Sequence, residues 1–253
     1  MSNRFVVRDL PGPPPRVEKR GPAEALAREA AALALVGGRP WAPALVHHER
    51  GVVVATRCPG EPRPLDALAA ADARRLGAVV REVHELRRAG QGGLPWWSRP
   101  ARTLGDYRAR RARDAERSLA GSAHSGLALR ALAAPLPRVE EDEAFRLLHG
   151  DLVGANVVWG PGGPALVDWE FWRMGDPAED LAYLAETNAL PDAALEEVLD
   201  GYALPGIGAR VDAWRALVAL DAGGWYARQG MEAQARPLLE RGRLLTSGLR
   251  PGR

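Results

Sequence analysis

The first 60 residues carry apolar patterns with the short periods that predict β-strands. From 16 to 20 the chain is RVEKR, in which Val17 and Lys19 fall on one face because side chains alternate along a strand. The continuous apolar run at 51–56, GVVVAT, is typical of a buried strand, and Pro59-Gly60 marks the turn after it. These segments predict a small sheet near the start of the chain.

Helical periodicity lies between these two strands. Leu26, Ala30 and Leu33 recur at the spacing of one helix face. Pro22 suits the first turn of a helix, and Gly37-Gly38 suits its end. The pattern predicts one helix that follows the strand at 16–20.

One charged residue of this helix, Glu29, lies beside its apolar face. A buried carboxylate without a cation is strongly destabilising, so it needs a partner. Lys19 on the preceding strand is the nearest candidate, with Arg16 and Arg20 as alternatives. Lys19 is also the only lysine among the 34 basic residues, and an ammonium meets phosphate oxygens as a compact point charge. The pattern predicts a Lys19–Glu29 ion pair; the alternative is a surface lysine and a glutamate that reaches water.

Beyond residue 60, helical spacing dominates. Five apolar residues repeat at helical spacing and predict a core helix from about Asp66 to Arg88. They are Leu76, Val79, Val80, Val83 and Leu86. His84 lies off this stripe without a second ligand at metal spacing, and it is interpreted as structural. The chain is therefore predicted to divide into residues 1–59, with strands and one helix, and a mainly helical part, residues 60–253.

Polar side chains interrupt the apolar segment LLHGDLVGANVV at 147–158. Apolar triplets on both sides of a glycine- and proline-rich stretch predict a hairpin with a five-residue turn centred on Gly162. That register sets Asn156 opposite Asp168, with Cβ atoms roughly 5 Å apart. Amide and carboxylate oxygens suit Mg²⁺ better than zinc, and Mg²⁺ usually shares its shell with phosphates. Asp151 is left free to accept a proton or to align a hydroxyl.

Composition narrows the protein class. The chain has 253 residues and 46% hydrophobic content, enough to bury a substantial core. A single cysteine, Cys58, excludes a disulfide framework and fits a reducing compartment. No apolar run approaches membrane-spanning length and the first ten residues do not form a signal peptide. A cytoplasmic protein without membrane contacts is expected.

The charge distribution gives no sign of a nucleic-acid partner. Net charge is only +2, and the most basic stretch, RARRARDAER at 108–117, includes Asp114 and Glu116. This stretch is predicted to be a solvated helix face. No pattern indicates an oligomeric state.

Several of these motifs form a known combination. His149-Gly150-Asp151-Leu152 with Asn156 is similar to a kinase catalytic loop, and Asp168 stands where such enzymes carry a metal-binding aspartate. The HGD form, DWE at 168–170 and GDPAEDLA at 175–182 resemble the aminoglycoside phosphotransferase and choline kinase family. The resemblance implies an α+β, two-lobed, protein-kinase-like fold with a small, shortened β-rich N-terminal lobe and a mainly helical C-terminal lobe.

The resemblance also implies how a nucleotide would be held. Lys19 would hold the α and β phosphates of ATP, and Glu29 would orient Lys19. Thr56 and Cys58 would offer backbone groups to adenine in the hinge before Pro59-Gly60.

The remaining roles concern phosphoryl transfer. Asn156 and Asp168 would carry Mg²⁺, and Asp151 would position and deprotonate the acceptor hydroxyl. The implied reaction is transfer of the γ-phosphoryl group of Mg-ATP to a hydroxyl of a small molecule. Such catalysis is mostly alignment and charge neutralisation, so it requires few residues.

The N-terminal lobe departs from the family pattern, because only 18 residues precede Lys19. Phe5-Val6-Val7 can pair with the strand at 16–20, which leaves the proline-rich segment 11–15 as the turn. Prolines donate no amide hydrogens, so this turn is expected to cradle phosphate poorly. Two hypotheses follow: an active small-molecule kinase, and a nucleotide-binding pseudokinase or regulator.

The segment after Asp168 predicts structure as well as chemistry. Asp176 is expected to cap a helix, Pro177 to occupy its first position and Glu179 to complete a capping box.

The acceptor is open at this level. A cationic antibiotic would favour carboxylates, for which the candidates are Glu170, Asp180, Glu186 and Asp221. A choline-like acceptor would favour an aromatic cage, although aromatic residues at these spacings also suit a core. The candidates are Trp169, Phe171, Trp172, Trp214, Trp225 and Tyr226. Ethanolamine, sugars and other metabolites are further alternatives, and the Trp96-Trp97 pair is a candidate pocket edge.

Overall fold

The N-terminal lobe is a four-stranded antiparallel sheet with one helix. In a computed structural model, which describes residues 5–86, 101–137 and 145–249, the strands lie in the order β1-β2-β4-β3. Their bounds are β1 Val6–Leu10, β2 Arg16–Arg20, β3 Leu45–Glu49 and β4 Val52–Thr56. Helix α1, Ala23–Val36, follows β2 and buries Leu26, Ala30 and Leu33 as its spacing predicts. Three of the four strands and this helix were therefore predictable from pattern alone.

The β1–β2 hairpin forms as predicted, but its turn lies at the other end of the strands from Lys19. Val7 pairs with Lys19, whereas the Arg57 N–H donates to the carbonyl of Pro15, the last residue of the turn. At about 3.3 Å per residue, the proline-rich turn is on the order of 10 Å from Lys19. The distance agrees with the expectation that this turn cradles phosphate poorly, because the register brings the open end of β1 to Lys19.

The C-terminal lobe is built from helices. The longer ones are α2 Ala70–Glu85, α3 Leu104–Leu119, α5 Pro177–Thr187, α6 Asp192–Tyr202, α7 Ile207–Arg228 and α8 Glu232–Ser247, with a short α4 at Leu127–Arg130. Helix α2 begins later than the predicted Asp66. It packs closely on α6 because glycine occurs on both sides: a Cβ at Gly77 would collide with the Val198 carbonyl, and one at Gly201 with the Arg74 carbonyl. Among the described residues, no helix is long and apolar enough to cross a membrane.

Two small sheets carry the catalytic-loop sequence. One contains β5 Glu61–Pro62, β7 Val157–Gly160 and β8 Gly163–Leu166, and the other pairs β6 Arg146–Leu148 with β9 Arg173–Gly175. Because β5 pairs with β7, the segment that begins at residue 61 already belongs to a sheet of the C-terminal lobe.

The β7–β8 hairpin is tighter than predicted. Gly160 pairs with Gly163, so the turn has two residues, Pro161 and Gly162, and not five. Proline at the first central position and a glycine at φ +104, Gly163, permit this tight turn. The register is therefore shifted by one, and the predicted Asn156–Asp168 pairing is wrong: the Val167 N–H donates to the Asn156 carbonyl at 3.0 Å.

The basic stretch 108–117 forms α3, but it is not simply a solvated face. Arg108 is 4% exposed and donates to the carbonyls of Ala134 (2.7 Å) and Ala131 (2.9 Å). Arg111 is bound to two carboxylates of the C-terminal lobe. Helical spacing turns these two arginines toward the core, while the other arginines of the stretch remain exposed.

Candidate active site

The two lobes meet at a buried ion pair made by the only lysine. Lys19 Nζ donates to Glu29 Oε2 at 2.8 Å and to Asp168 Oδ1 at 2.7 Å. The Phe5 ring lies over the ammonium, with its centroid 4.2 Å from Nζ. The predicted Lys19–Glu29 pair is therefore present, and Lys19 also joins the N-terminal lobe to the segment that follows β8.

Burial and charge compete at this ion pair. Burial opposes the charged ammonium, but the carboxylates of Glu29 and Asp168 outweigh it, and the pKa of Lys19 is raised. Burial raises the pKa of Glu29 despite the attraction of Lys19. The side chains of Lys19 and Glu29 are 11% and 9% exposed, so neither charge can be left unpaired without a large loss of stability.

A cavity of about 440 Å³ lies between the lobes beside this ion pair. It has the volume of a small-molecule site. Six of the seven predicted site residues line it, namely Lys19, Glu29, Thr56, Cys58, Asn156 and Asp168. Apolar side chains of the N-terminal sheet, including Val17, Val53 and Ala55, form one wall. A flat apolar ring and a polyphosphate could therefore share this cavity.

The predicted hinge residues differ in what they can offer. The Thr56 N–H donates to the Ala44 carbonyl at 2.9 Å, and the Arg57 N–H donates to Pro15. The Thr56 hydroxyl accepts from the Ala44 N–H. Within the described residues, the Cys58 N–H has no backbone partner. Burial raises the pKa of the Cys58 thiol to about 11, so the side chain is an uncharged thiol at neutral pH.

Asp151 is held by two donors on opposite oxygens. The Asn156 Nδ2 group donates to Asp151 Oδ2 and to the Asp151 carbonyl, both at 2.9 Å. The Tyr183 hydroxyl donates to Asp151 Oδ1, also at 2.9 Å. Burial raises the pKa of Asp151, and His149, Tyr183 and Asn156 oppose this effect. Each carboxylate oxygen keeps a lone pair for another donor such as a hydroxyl.

His149 links Asp151 to the segment that carries Asp168. Its Nδ1 accepts from the Asp151 N–H at 3.3 Å, and its Nε2 lies 3.0 Å from the Val167 carbonyl. This pairing fits a neutral ring with the proton on Nε2, and burial lowers the pKa of His149. The ring also contacts Trp169, with centroids 4.5 Å apart.

The oxygens available to a metal belong to Asn156 and Asp168. Both amide hydrogens of Asn156 are directed to Asp151, and in the described part of the chain neither its Oδ1 nor Asp168 Oδ2 accepts a protein hydrogen bond. Asp168 adopts φ +64, a backbone conformation that a non-glycine residue holds only where its surroundings enforce it. An amide oxygen and a carboxylate oxygen that face one cavity are ligands that Mg²⁺ accepts.

The backbone of the HGD segment rests on Asp180. Its carboxylate accepts from the N–H groups of His149 (2.7 Å) and Gly150 (3.0 Å). It also contacts His84 Nε2 at 3.2 Å, and His84 Nδ1 lies 3.0 Å from the Tyr202 hydroxyl. His84 is 1% exposed, so its interpretation as a structural residue is confirmed, although it lies inside the core.

The start of α5 differs from the predicted capping box. Asp176 caps the helix by accepting from the Ala178 N–H at 3.0 Å, as expected. Glu179, however, does not reach back to the cap: its carboxylate binds Tyr107, Arg111 and Arg173. Arg111, 68 residues earlier in the sequence, and Arg173, six residues earlier, outcompete the single backbone donor, so tertiary contacts override the local motif.

A second cavity of about 450 Å³ opens onto Asp151 from the side of the C-terminal helices. Among the aromatic candidates, Phe171, Trp225 and Tyr226 line it, whereas Trp169, Trp172 and Trp214 are core residues. Of the carboxylate candidates, only Asp221 lines it. Asp180 is buried beneath the HGD segment, Glu170 is buried, and Glu186 lies elsewhere. Trp96-Trp97 lies outside the described residues.

Sequence reasoning missed two residues of this site, Tyr183 and Arg173. Tyr183 is one turn of α5 from Asp180 and Glu179, a spacing that places it on the same side of the helix. Arg173 donates to the Phe171 carbonyl at 3.2 Å and to Glu179 at 2.7 Å. Helical spacing could have indicated Tyr183, but only the tertiary structure shows what Arg173 binds.

Comparison with known proteins decides the family. The profile of the phosphotransferase enzyme family matches residues 2–241, which is nearly the whole chain. The chain belongs to this phosphotransferase family. A viomycin phosphotransferase from Streptomyces vinaceus is 34% identical over 93 residues, which cover 35% of this chain and 32% of the relative. The match therefore spans about a third of that protein.

Solved structures share the fold of this phosphotransferase family member. Macrolide 2'-phosphotransferase from Brachybacterium faecium superposes with a TM-score of 0.66 and 21% identity, covering 100% of this chain and 91% of that one. Choline kinase from Streptococcus pneumoniae gives 0.69 at 15% identity, covering 98% and 90%. At these identities the likeness establishes the fold: the predicted α+β, two-lobed, protein-kinase-like architecture is confirmed.

Proposed function

We propose that this protein transfers the γ-phosphoryl group of Mg-ATP to a hydroxyl group of a small molecule. The observation that carries the proposal is the arrangement of two cavities around the Asp151–Asn156 hydrogen bond. Asn156 lines the cavity that holds Lys19 and Asp168, and Asp151 lines the cavity on the other side. A donor and an acceptor could thus approach each other from opposite sides.

In this proposal, residues of the first cavity hold the nucleotide. Lys19, oriented by Glu29, places its ammonium against phosphate oxygens, and the backbone of Thr56 and Cys58 faces adenine. Of these hinge groups, the Cys58 N–H is the donor that no protein backbone group occupies among the described residues. The apolar side chains of the sheet exclude water from one face of the base.

Asn156 Oδ1 and Asp168 would hold Mg²⁺. When bound, the metal ion supplies neutralisation of the charge on the phosphate oxygens. Asp168 also accepts from Lys19, so one carboxylate connects the phosphate-binding cation to the metal position. Asn156 in turn connects the metal position to Asp151.

Asp151 acts on the acceptor. Its carboxylate, oriented by Asn156 and Tyr183, accepts the hydrogen of the attacking hydroxyl and aligns that oxygen. Its raised pKa makes it a better proton acceptor than an ordinary aspartate. His149 keeps the Asp151 backbone in place through Nδ1.

A turnover assay with matched variants tests the proposal. Purified protein, Mg-ATP and a broad acceptor panel should give acceptor-dependent ADP, which Asp151→Asn should reduce and the exposed Glu196→Gln should leave unchanged. Binding of Mg-ATP without turnover of any acceptor would favour the nucleotide-binding regulator instead.

We further propose a cytoplasmic location, which the single Cys58 supports because disulfides are rare there. We also propose that the protein has no nucleic-acid or membrane partner.

A further inference from the structure

The acceptor cavity adjoins another cavity farther along the C-terminal helices. This distal cavity, about 500 Å³, is bounded by the end of α5, the start of α6 and helices α7 and α8. Tyr226 lines both the distal cavity and the one that contains Asp151. A molecule that extends past Tyr226 could therefore occupy both. Each cavity alone has the volume of a drug-sized site, far more than a small amino alcohol fills.

The carboxylates of these cavities are already paired with arginine, apart from Asp151. In the cavity at Asp151, Asp221 binds Arg111 at 2.5 Å, and Asp114 binds Arg117. In the distal cavity, Glu186 binds Arg215 and Arg241, and Asp192 binds Arg215. A polycationic acceptor would have to displace several arginines from these carboxylates.

Most of these arginines cannot be displaced at little cost. Arg111 also binds the buried Glu179, and Glu186 is 3% exposed with two arginine partners. Removing one partner of a buried pair is strongly destabilising. Asp114 differs, because its partner Arg117 is 71% exposed and an exposed pair contributes little. An acceptor could recruit Asp114 with one ammonium group.

Aromatic side chains form the remaining wall. Phe171 and Trp225 are 37% and 39% exposed, and both line the cavity at Asp151. The Trp225 and Tyr226 rings meet edge to face, with centroids 5.1 Å apart. Exposed aromatic surface of this kind favours an apolar or planar face on the ligand.

We propose that the acceptor is a large, multi-ring hydroxyl compound with no more than a single positive charge. It presents a hydroxyl to Asp151, an apolar face to Phe171 and Trp225, and polar groups to the distal cavity beyond Tyr226. The proposal rests on the proposed phosphotransferase function and excludes both small cationic alcohols and polycationic oligosaccharides as best acceptors.

A panel that varies size and charge separately tests this acceptor class. Macrocyclic and polycyclic hydroxyl compounds with no amine or one amine, such as erythromycin, are compared with kanamycin and with choline. The measurements are ADP release and thermal stabilisation in the presence of Mg-nucleotide. The large compounds should give the lowest KM. Better binding or turnover of choline or kanamycin would overturn the acceptor class and leave the phosphotransferase function standing. The acceptor class would also be overturned if the protein bound Mg-ATP but neither bound nor phosphorylated any of the large compounds.

A pair of variants on α8 tests the distal cavity. Gln234 is exposed and lines this cavity, whereas the exposed Arg236 on the same helix lines neither cavity. Gln234→Trp should raise the KM of the best large acceptor about tenfold, which corresponds to about 1.4 kcal/mol, and Arg236→Trp should leave it unchanged. Thermal unfolding with Mg-ATP checks that both variants are folded. Equal KM values for the two variants would show that the acceptor does not reach the distal cavity.

Discussion

Two sets of acidic residues follow one another in the sequence and end in opposite environments. Asp151 and Asp168 face cavities, and each keeps oxygens that other groups can bind. Asp176, Glu179 and Asp180 are at most 1% exposed and bind arginines, ring nitrogens, hydroxyls and backbone amides. Acidic residues thus occur in two environments in this protein. They differ in whether their carboxylate oxygens are free for a ligand or are bound by other protein groups.

The pKa shifts follow the same division. Burial raises the pKa of Asp151, which favours proton acceptance. Burial also acts to raise the pKa of Glu179 and of Asp180, but their partners outweigh it and both pKa values are lowered. The partners are Arg173 and Arg111 for Glu179, and His84 for Asp180. Glu179 and Asp180 therefore stay ionised and hold α5 and the HGD segment, whereas Asp151 is the carboxylate proposed to accept a proton. Asp176 is the exception among the buried three, since its pKa is raised by burial despite Arg210.

The largest loss of stability should come from the buried set. Glu179→Gln removes the charge that Arg111 and Arg173 share, and breaking such a buried pair costs about 3–5 kcal/mol. Chemical denaturation at neutral pH measures the free energy of unfolding, and the exposed Glu196→Gln is the control. If Glu179→Gln unfolds at the same denaturant concentration as the control, the buried set does not stabilise the fold.

The next largest effect is expected from substitutions of Lys19. Lys19→Arg keeps a cation for Glu29 and Asp168 but replaces a point charge by a planar fork in a confined site. We expect the KM for ATP to rise about tenfold, which equals about 1.4 kcal/mol, with a smaller change in the free energy of unfolding. Lys19→Met should add a severe loss of stability because Glu29 then lacks a partner. An unchanged KM for ATP in Lys19→Arg would show that Lys19 does not bind the nucleotide.

Acid should weaken the buried set in a predictable direction. The folded-state pKa of Glu179 lies below its ordinary value of 4.5, so its stabilisation is present above that value and is lost as pH falls through the folded pKa. The difference in unfolding free energy between the wild type and Glu179→Gln should therefore shrink as pH is lowered below 4.5. Urea denaturation from pH 7 to pH 3 measures it, and a difference that grows in acid would contradict the assignment.

The smallest effect is expected at the hinge. Cys58→Ala changes a half-buried neutral thiol, and adenine is proposed to contact the backbone at this position, so the KM for ATP should change less than about twofold, below about 0.5 kcal/mol. Cys58→Pro removes the N–H and should raise that KM clearly more. Equal KM values for the two variants would mean that the Cys58 N–H does not contact the nucleotide.

Local patterns predicted much of the fold and of the candidate site. The strand and helix of the N-terminal lobe, the Lys19–Glu29 pair and the N-cap at Asp176 depend on neighbours in sequence or on one unpaired charge. The β7–β8 register failed by one residue because the turn length depends on how Pro161 and Gly163 set the backbone. Asn156 and Asp168 still line one cavity, since the 3₁₀ turn at 154–156 and the positive φ of Asp168 redirect both side chains.

Long-range contacts were beyond local patterns. The burial of Arg108 and the binding of Arg111 to Glu179 depend on helices more than 60 residues apart in sequence, and the Tyr183 contact with Asp151 spans 32 residues. The sequence alone does not distinguish the buried carboxylates from the accessible ones. Their difference lies in arginines that only the folded chain brings to them.

The most direct test of the division between the two sets is one measurement on Asp151→Asn. The substitution keeps the size of the side chain and removes its charge, so thermal unfolding should stay within a few degrees of the wild type while kcat with a working acceptor falls about 10²–10⁴-fold, the range expected for loss of a general base. Glu196→Gln should match the wild type in both respects. Full activity of a folded Asp151→Asn would contradict the account, because Asp151 would then belong with the carboxylates that only hold the structure.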